Sequence, residues 1–251
     1  MAPNRFSRMK NIFGLLKAAS GLLLIATIQL LLPANVLAQE PPAGCGTLRS
    51  EGRFGPYDYR VDRYIPETTF RSHRALLFIV ESAHFTPEVE AGFRGKTGPL
   101  PGGDISYTLH AFPNHHRALL AMAAVSEKAK LDKPSGSTYP VECWFQRALT
   151  FRPDDNIVRL IYANFLSRRG KIGEAEQQLT FAANQAGDNA FTYHNIGLVY
   201  FDMKNYEKAL VFAHKAYGMG LGTPTLKQQL VTVGKWTDAP TPVAAEPAKS
   251  P

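Results

Sequence analysis

The chain has 251 residues, 45% of them apolar, with 28 Lys and Arg against 21 Asp and Glu. That length holds one or two domains, and because both ends lack the pattern of folded protein, one compact unit is expected. A net charge of +7 would suggest nucleic acid, but four of the basic residues and none of the acids fall in the first 38 residues; the remainder carries only +3, too mild a bias for a nucleic-acid footprint.

Those first residues run from basic (Arg5, Arg8, Lys10, Lys17) through the apolar stretch Gly21 to Leu32 to Val36-Leu37-Ala38. This is the order of a secretory signal peptide over 1–38, cleaved after Ala38. The competing reading is an uncleaved anchor starting near Ala18, against which stand Gln29, Pro33 and the small residue before the cut. In an exported chain, Cys45 and Cys143 are expected to bond, closing a loop of 98 residues and stabilising by ~2–4 kcal/mol. Two buried thiols, or a lipid-modified Cys45, are the alternatives.

Residues 39–70 are rich in Pro, Gly and aromatics and predict an extended arm whose Phe54, Tyr57, Tyr59 and Tyr64 pack on the first helices; an aromatic peptide- or sugar-binding surface is the functional alternative. An irregular helical segment, 71–115, follows. Helical spacing begins near Ser72 with Ala75, Leu76, Ile79, Val80 and Ala83 on one face, and Thr86-Pro87 opens a short second helix. After the Gly-rich Lys96 to Gly103, Asp104 is expected to cap a third, burying Ile105, Leu109 and Phe112.

From His116 onward the chain repeats itself. Phe112-Pro113-Asn114 parallels Arg152-Pro153-Asp154, where Pro ends one helix and resets the chain. Segments 116–155, 156–189 and 190–223 bring Ala123, Ala163 and Gly197 into register, then Ala175 with Ala209, and Ala148, Ala182 and Ala216. The first is six residues longer, with the surplus in the turn-forming LDKPSGSTYP. A last helix after Pro224, TLKQQLVTVGKW, is expected to cover the end with Leu226, Leu230 and Val233, sealed by Trp236. Residues 236–251 read as a disordered tail.

The 34-residue period, with YHNIGLVYFDMKNYEKALVFAHKAY as its clearest copy, resembles the tetratricopeptide repeat. The stretch VESAHFTPEVEAGFRGKTGPLPGGDISYTLHAFPNHHRAL resembles a segment of exported proteobacterial repeat proteins, a likeness that covers most of the chain after residue 38 and carries no assigned activity. It implies an all-α, short solenoid of helix hairpins with an extended N-terminal arm and a C-terminal capping helix. It further implies a concave wall lined by the second, fifth, ninth, twelfth and thirteenth residues of each unit's first helix. These are Arg117, Leu120, Ala124, Glu127 and Lys128; Ile157, Leu160, Asn164, Ser167 and Arg168; and Phe191, His194, Leu198, Phe201 and Asp202. The middle unit departs from the pattern, with Arg159 where an aromatic is usual.

Such a wall suits an extended peptide or a partner helix. Asn164 would hold a main-chain amide, Arg117, Lys128 and Arg168 a carboxylate, and Phe191 and Phe201 an apolar side chain, with His194 beside them. No phosphate loop, metalloprotease helix, nucleophile elbow or paired CxxC is present. Glu81, His84, His115 and His116 offer a metal or acid-base site if their loops converge, although helix capping would use the same residues. The expectation is a periplasmic or secreted, non-enzymatic scaffold for a cell-envelope protein or peptide, with no cofactor and no membrane span after cleavage. A hydrolytic or metal-dependent enzyme using the His84 to His116 region, and a structural subunit of an envelope assembly, are the rivals.

Overall fold

In a computed structural model of the chain, residues 40–48, 54–62 and 73–239 are described, all within one compact unit, Ala38–Pro251. The expected signal segment and cut after Ala38, Tyr64, and the part of the expected tail beyond residue 239 lie outside the described residues. Among the described residues there are eleven helices and no strand, and no helix is long and apolar enough to cross a membrane.

The first four helices are α1 (Tyr59–Asp62), α2 (His73–His84), α3 (Pro87–Glu90) and α4 (Pro101–Ala111). Then come α5 (His116–Ala129), α6 (Val141–Phe151), α7 (Asn156–Arg168) and α8 (Ile172–Gln185). The chain closes with α9 (Ala190–Asp202), α10 (Tyr206–Gly218) and α11 (Thr225–Thr232). Helices α5, α7 and α9 start at the first residue of each of the three repeating segments, and each start has a local cause. The side chains of His115, Asp155 and Asn189 accept hydrogen bonds from the first-turn N–H groups of Ala118, Ile157 and Val158, and Thr192, satisfying donors that the helix itself cannot. Between α7 and α8 the chain reverses through Gly170 at φ 74°; 34 residues later Lys204 takes the same left-handed turn at φ 62°.

Consecutive helices pack as pairs, α7 on α8 and α9 on α10, while α5, α7 and α9 lie side by side. The small residues in register are all buried: Ala163, Ala175 and Ala182 in one pair, Gly197, Ala209 and Ala216 in the next. At Gly197 a methyl group would sit 2.4 Å from Leu226 Cδ2, so the glycine is what admits α11 to the α9–α10 surface. Larger side chains fill the space between, with Leu119, Met122, Trp144, Phe145, Leu166 and Ile196 fully buried. Each contributes about 1.5–3 kcal/mol by leaving water. A smaller cluster of Tyr59, Leu77, Val80, Ala111 and Phe112 holds α1, α2 and α4 together.

Several local expectations are corrected. The inward side of α2 is Leu77, Val80, Glu81 and His84, while Ile79 and Ala83 face solvent. The helix is rotated because two of its polar groups have buried partners. Asp104 does not cap α4, which starts three residues earlier at Pro101 and takes Gly102 and Gly103 into its first turn. The arm is not extended throughout, since it turns into α1 at Tyr59. The LDKPSGSTYP surplus forms turns, as expected, and is anchored at Ser137 and Thr138: Ser137 Oγ accepts from Trp144 Nε1 at 3.1 Å, and Thr138 N donates to Ser106 Oγ on α4 at 3.1 Å. Helix α11 ends at Thr232, because Gly234 turns the chain at φ 69°, and Val233 is left exposed. Ile105, Leu109, Phe112, Leu226 and Leu230 are buried as expected.

Candidate functional site

The side of the molecule formed by α5, α7 and α9 carries most of the residues expected to bind a partner, and the structure sorts them into three groups. The first is polar and cross-linked between neighbouring helices. Arg168 on α7 donates to Glu127 on α5 at 3.0 Å, and Asn164 Nδ2 donates to Asp202 on α9 at 3.2 Å. Arg117 is held by Glu90 and Glu81 and lies over the Phe85 ring at 5.4 Å. Such exposed pairs contribute about 1 kcal/mol or less each, so they order the wall more than they stabilise it.

The second group is apolar and open. Leu120 is 52% and Phe191 54% exposed, and Phe201 is half-buried with its ring 5.3 Å from that of Tyr206. Lys128 is exposed at the end of α5. The third group is internal: Leu160 is buried, and so is His194, whose side chain is in the packing beside Tyr217 rather than on the wall. His194 is the fifth residue of α9, and Tyr217 on α10, the other helix of the same pair, packs against it.

The His-rich region folds into three separate acid–His pairs. Glu81 Oε1 is 3.0 Å from His115 Nε2, His84 Nδ1 is 2.9 Å from Asp104, and His116 Nε2 is 2.9 Å from Asp155. Glu81, His84, His115 and His116 therefore do not converge, and among the described residues no group of three or more His, Cys, Asp or Glu is placed to hold a metal. Each pair ties one turn to another. His115 Nδ1 accepts from the Ala118 N–H at 3.1 Å, which leaves its proton on Nε2, donated to Glu81. Burial depresses the His115 pKa, outweighing the Glu81 carboxylate that raises it.

Asn114 is the centre of the same junction. Its Nδ2 donates to Asp58 at 2.7 Å and to Asp155 at 2.9 Å, and its Oδ1 accepts from Tyr59 N at 3.0 Å. Arg60 donates to Asp58 and to Asp154, both at 3.0 Å. Burial pushes the Asp58 carboxyl up, but the Arg60 and Asn114 hydrogen bonds more than reverse this and hold it at about 2. Asp104 behaves alike: burial raises it, but the bonds from Thr97, His84 and the 96–97 main chain win and depress it.

Cys45 and Cys143 form a disulfide, with Cα atoms 5.1 Å apart, and it fastens the arm to α6. Beside it Arg147, 1% exposed, donates to the main-chain oxygens of Cys45 at 2.8 Å and Thr47 at 2.7 Å, its guanidinium stacked over Tyr139 and Trp144. A second buried arginine, Arg159, stands on α7. Sequence reasoning assigned no role to Asn114, Asp58, Arg147 or Arg159. Only Arg159 left a signal, as a charge in place of an aromatic.

Compared with known protein families, curated proteins and solved structures, the chain matches none.

Proposed function

We propose that the chain is an exported tetratricopeptide-type repeat protein that docks a segment of a cell-envelope protein on the α5–α7–α9 wall. One observation carries this reading: Leu120 and Phe191 stand open to solvent near the starts of α5 and α9, and polar side chains further along these helices and α7 are pre-ordered by pairing across the helices. Apolar anchors supply affinity when they leave water, and a fixed set of amide, carboxylate and guanidinium groups around them supplies selection at low entropic cost. The hairpins at a 34-residue period support the repeat assignment. The Cys45–Cys143 bond, with the basic-apolar-small order of residues 1–38, supports export, because disulfides persist in oxidising compartments.

The test is capture from envelope extracts with tagged full-length protein. Leu120→Asp and Phe191→Asp should abolish recovery of the partner, and Asn164→Ala with Arg168→Ala should weaken it. Val211→Asp, a control at a 63% exposed site on α10, should leave it intact. Equal recovery with all variants would remove the wall from the account.

A further inference from the structure

Between α6, α7, α8 and the arm residue Pro42 lies a cavity of about 390 Å³, within the range of ~300–1,000 Å³ that small ligands occupy. Its lining is mainly neutral and polar, with Gln146 and Thr150 from α6 and Gln177 and Gln178 from α8, and Leu149 adds an apolar wall. Two charged residues also line it, Glu174 and Arg159, and Arg159 is only 9% exposed. Its two terminal nitrogens donate to Gln178 Oε1 at 3.0 Å and Pro153 O at 2.8 Å, while its buried Nε has no hydrogen-bond partner. The guanidinium lies 5.0 Å from the centre of the Phe181 ring.

No carboxylate answers this charge. Burial alone acts on the Arg159 guanidinium, depressing its pKa, with no acidic group offsetting it. Arg147, the other buried arginine, likewise donates to two main-chain oxygens and leaves its Nε without a partner, but Tyr139 and Glu40 act against the burial that lowers its pKa, and it does not line this cavity. Glu174 also lines the cavity but is more than half exposed and lies 3.7 Å from Lys171. An uncompensated buried cation is costly to keep, and apolar residues of similar volume often serve stability as well or better. A guanidinium also has more N–H donors than the two acceptors it meets here, in a fork that fits a carboxylate.

We propose that this cavity binds the carboxyl-terminal end of a peptide, with Arg159 taking the carboxylate and the side-chain amides of Gln146, Gln177 and Gln178 taking main-chain groups. The site is separate from the α5–α7–α9 wall and does not depend on it. Calorimetric titration of the full-length protein with N-acetyl-trialanine, N-acetyl-trialanine amide and sodium acetate tests it.

The free-acid peptide binds, and the amide and acetate bind about tenfold or more weakly, as expected for losing a charge-assisted hydrogen bond or the main-chain contacts. Arg159→Met loses the free-acid peptide by a similar factor, whereas Leu120→Asp with Phe191→Asp leaves it unchanged. The proposal is overturned if the acid peptide does not bind, if the amide binds as tightly, or if Arg159→Met behaves as the parent protein. Acetate binding as well as the peptide would overturn it too, because the cavity would then serve a free small carboxylate. The comparison of acid with amide uses the unsubstituted protein, so it stands even if Arg159→Met disturbs α7.

Discussion

The junction around Asn114 and the hairpins from α7 to α10 hold together by different physics. In the junction, buried and half-buried polar groups from residues 58–60, 81–84, 104, 114–116 and 155, with the exposed Asp154, meet in directed bonds of 2.7–3.0 Å, and few apolar side chains are involved. In the hairpins, alanines, Gly197 and large apolar residues interlock, and few polar side chains, among them Arg159, Thr192 and His194, are buried. Polar bonding fixes one geometry but fails when any partner is lost; apolar packing tolerates changes that conserve volume.

Substitutions can sharpen that contrast, and the largest effect is expected in the hairpins. Leu166→Ala, at a fully buried position, should cost about 2–5 kcal/mol in urea denaturation, whereas Leu166→Met should cost less than about 1.5 kcal/mol. The junction should show no such tolerance. Asn114→Ala and Asn114→Leu should both cost about 3 kcal/mol, because either leaves Asp58, Asp155 and the Tyr59 N–H short of a partner. A leucine that restored stability would mean the junction is held by volume after all.

Reducing the Cys45–Cys143 bond should cost ~2–4 kcal/mol and expose the amides of residues 45–47 to hydrogen exchange before those of α9 and α10.

Acid should separate the regions next. Asp58 titrates at about 2 in the fold against an ordinary 3.8, so its contribution, about 2 kcal/mol, is present above pH 4 and lost as pH falls toward 2. His115 acts in the same direction at higher pH. Its folded pKa is depressed, so the unfolded chain takes up the proton first as pH drops below about 6.5, and stability declines from there. Acid unfolding followed by hydrogen exchange should open α1 and α2 before α9 and α10; simultaneous loss would contradict the division. The smallest effect, under about 1 kcal/mol, is expected from Arg168→Ala, which removes a surface pair and lowers no core contact.

The hairpins were legible because their signal is local and periodic. Small residues recur 34 apart, and Asp155 and Asn189 sit where a first turn wants an acceptor. The junction was legible only as a density of His and acids. Its cross-links join residues 20 to 94 apart in sequence, so no spacing rule connects Asn114 to Asp58 or His84 to Asp104. The face of α2 was misplaced for the same reason. Apolar periodicity favoured Ile79 and Ala83, but Glu81 and His84 had buried partners waiting and turned the helix toward them.

From the sequence alone follow an all-helical body, the starts of α5, α7 and α9, and the residues small enough for helices to touch. These depend on helix period, capping and composition, which act within a few residues or recur by copy. Tertiary structure alone decided that His194 is interior, that Asp104 serves loop 96–97 and His84, and that two buried arginines stand in different places. Arg147 is clamped by the arm, and Arg159 stands over a cavity without a counter-charge. Whether a buried charge is answered depends on chain brought near from far along the sequence, and that proximity is written in the fold.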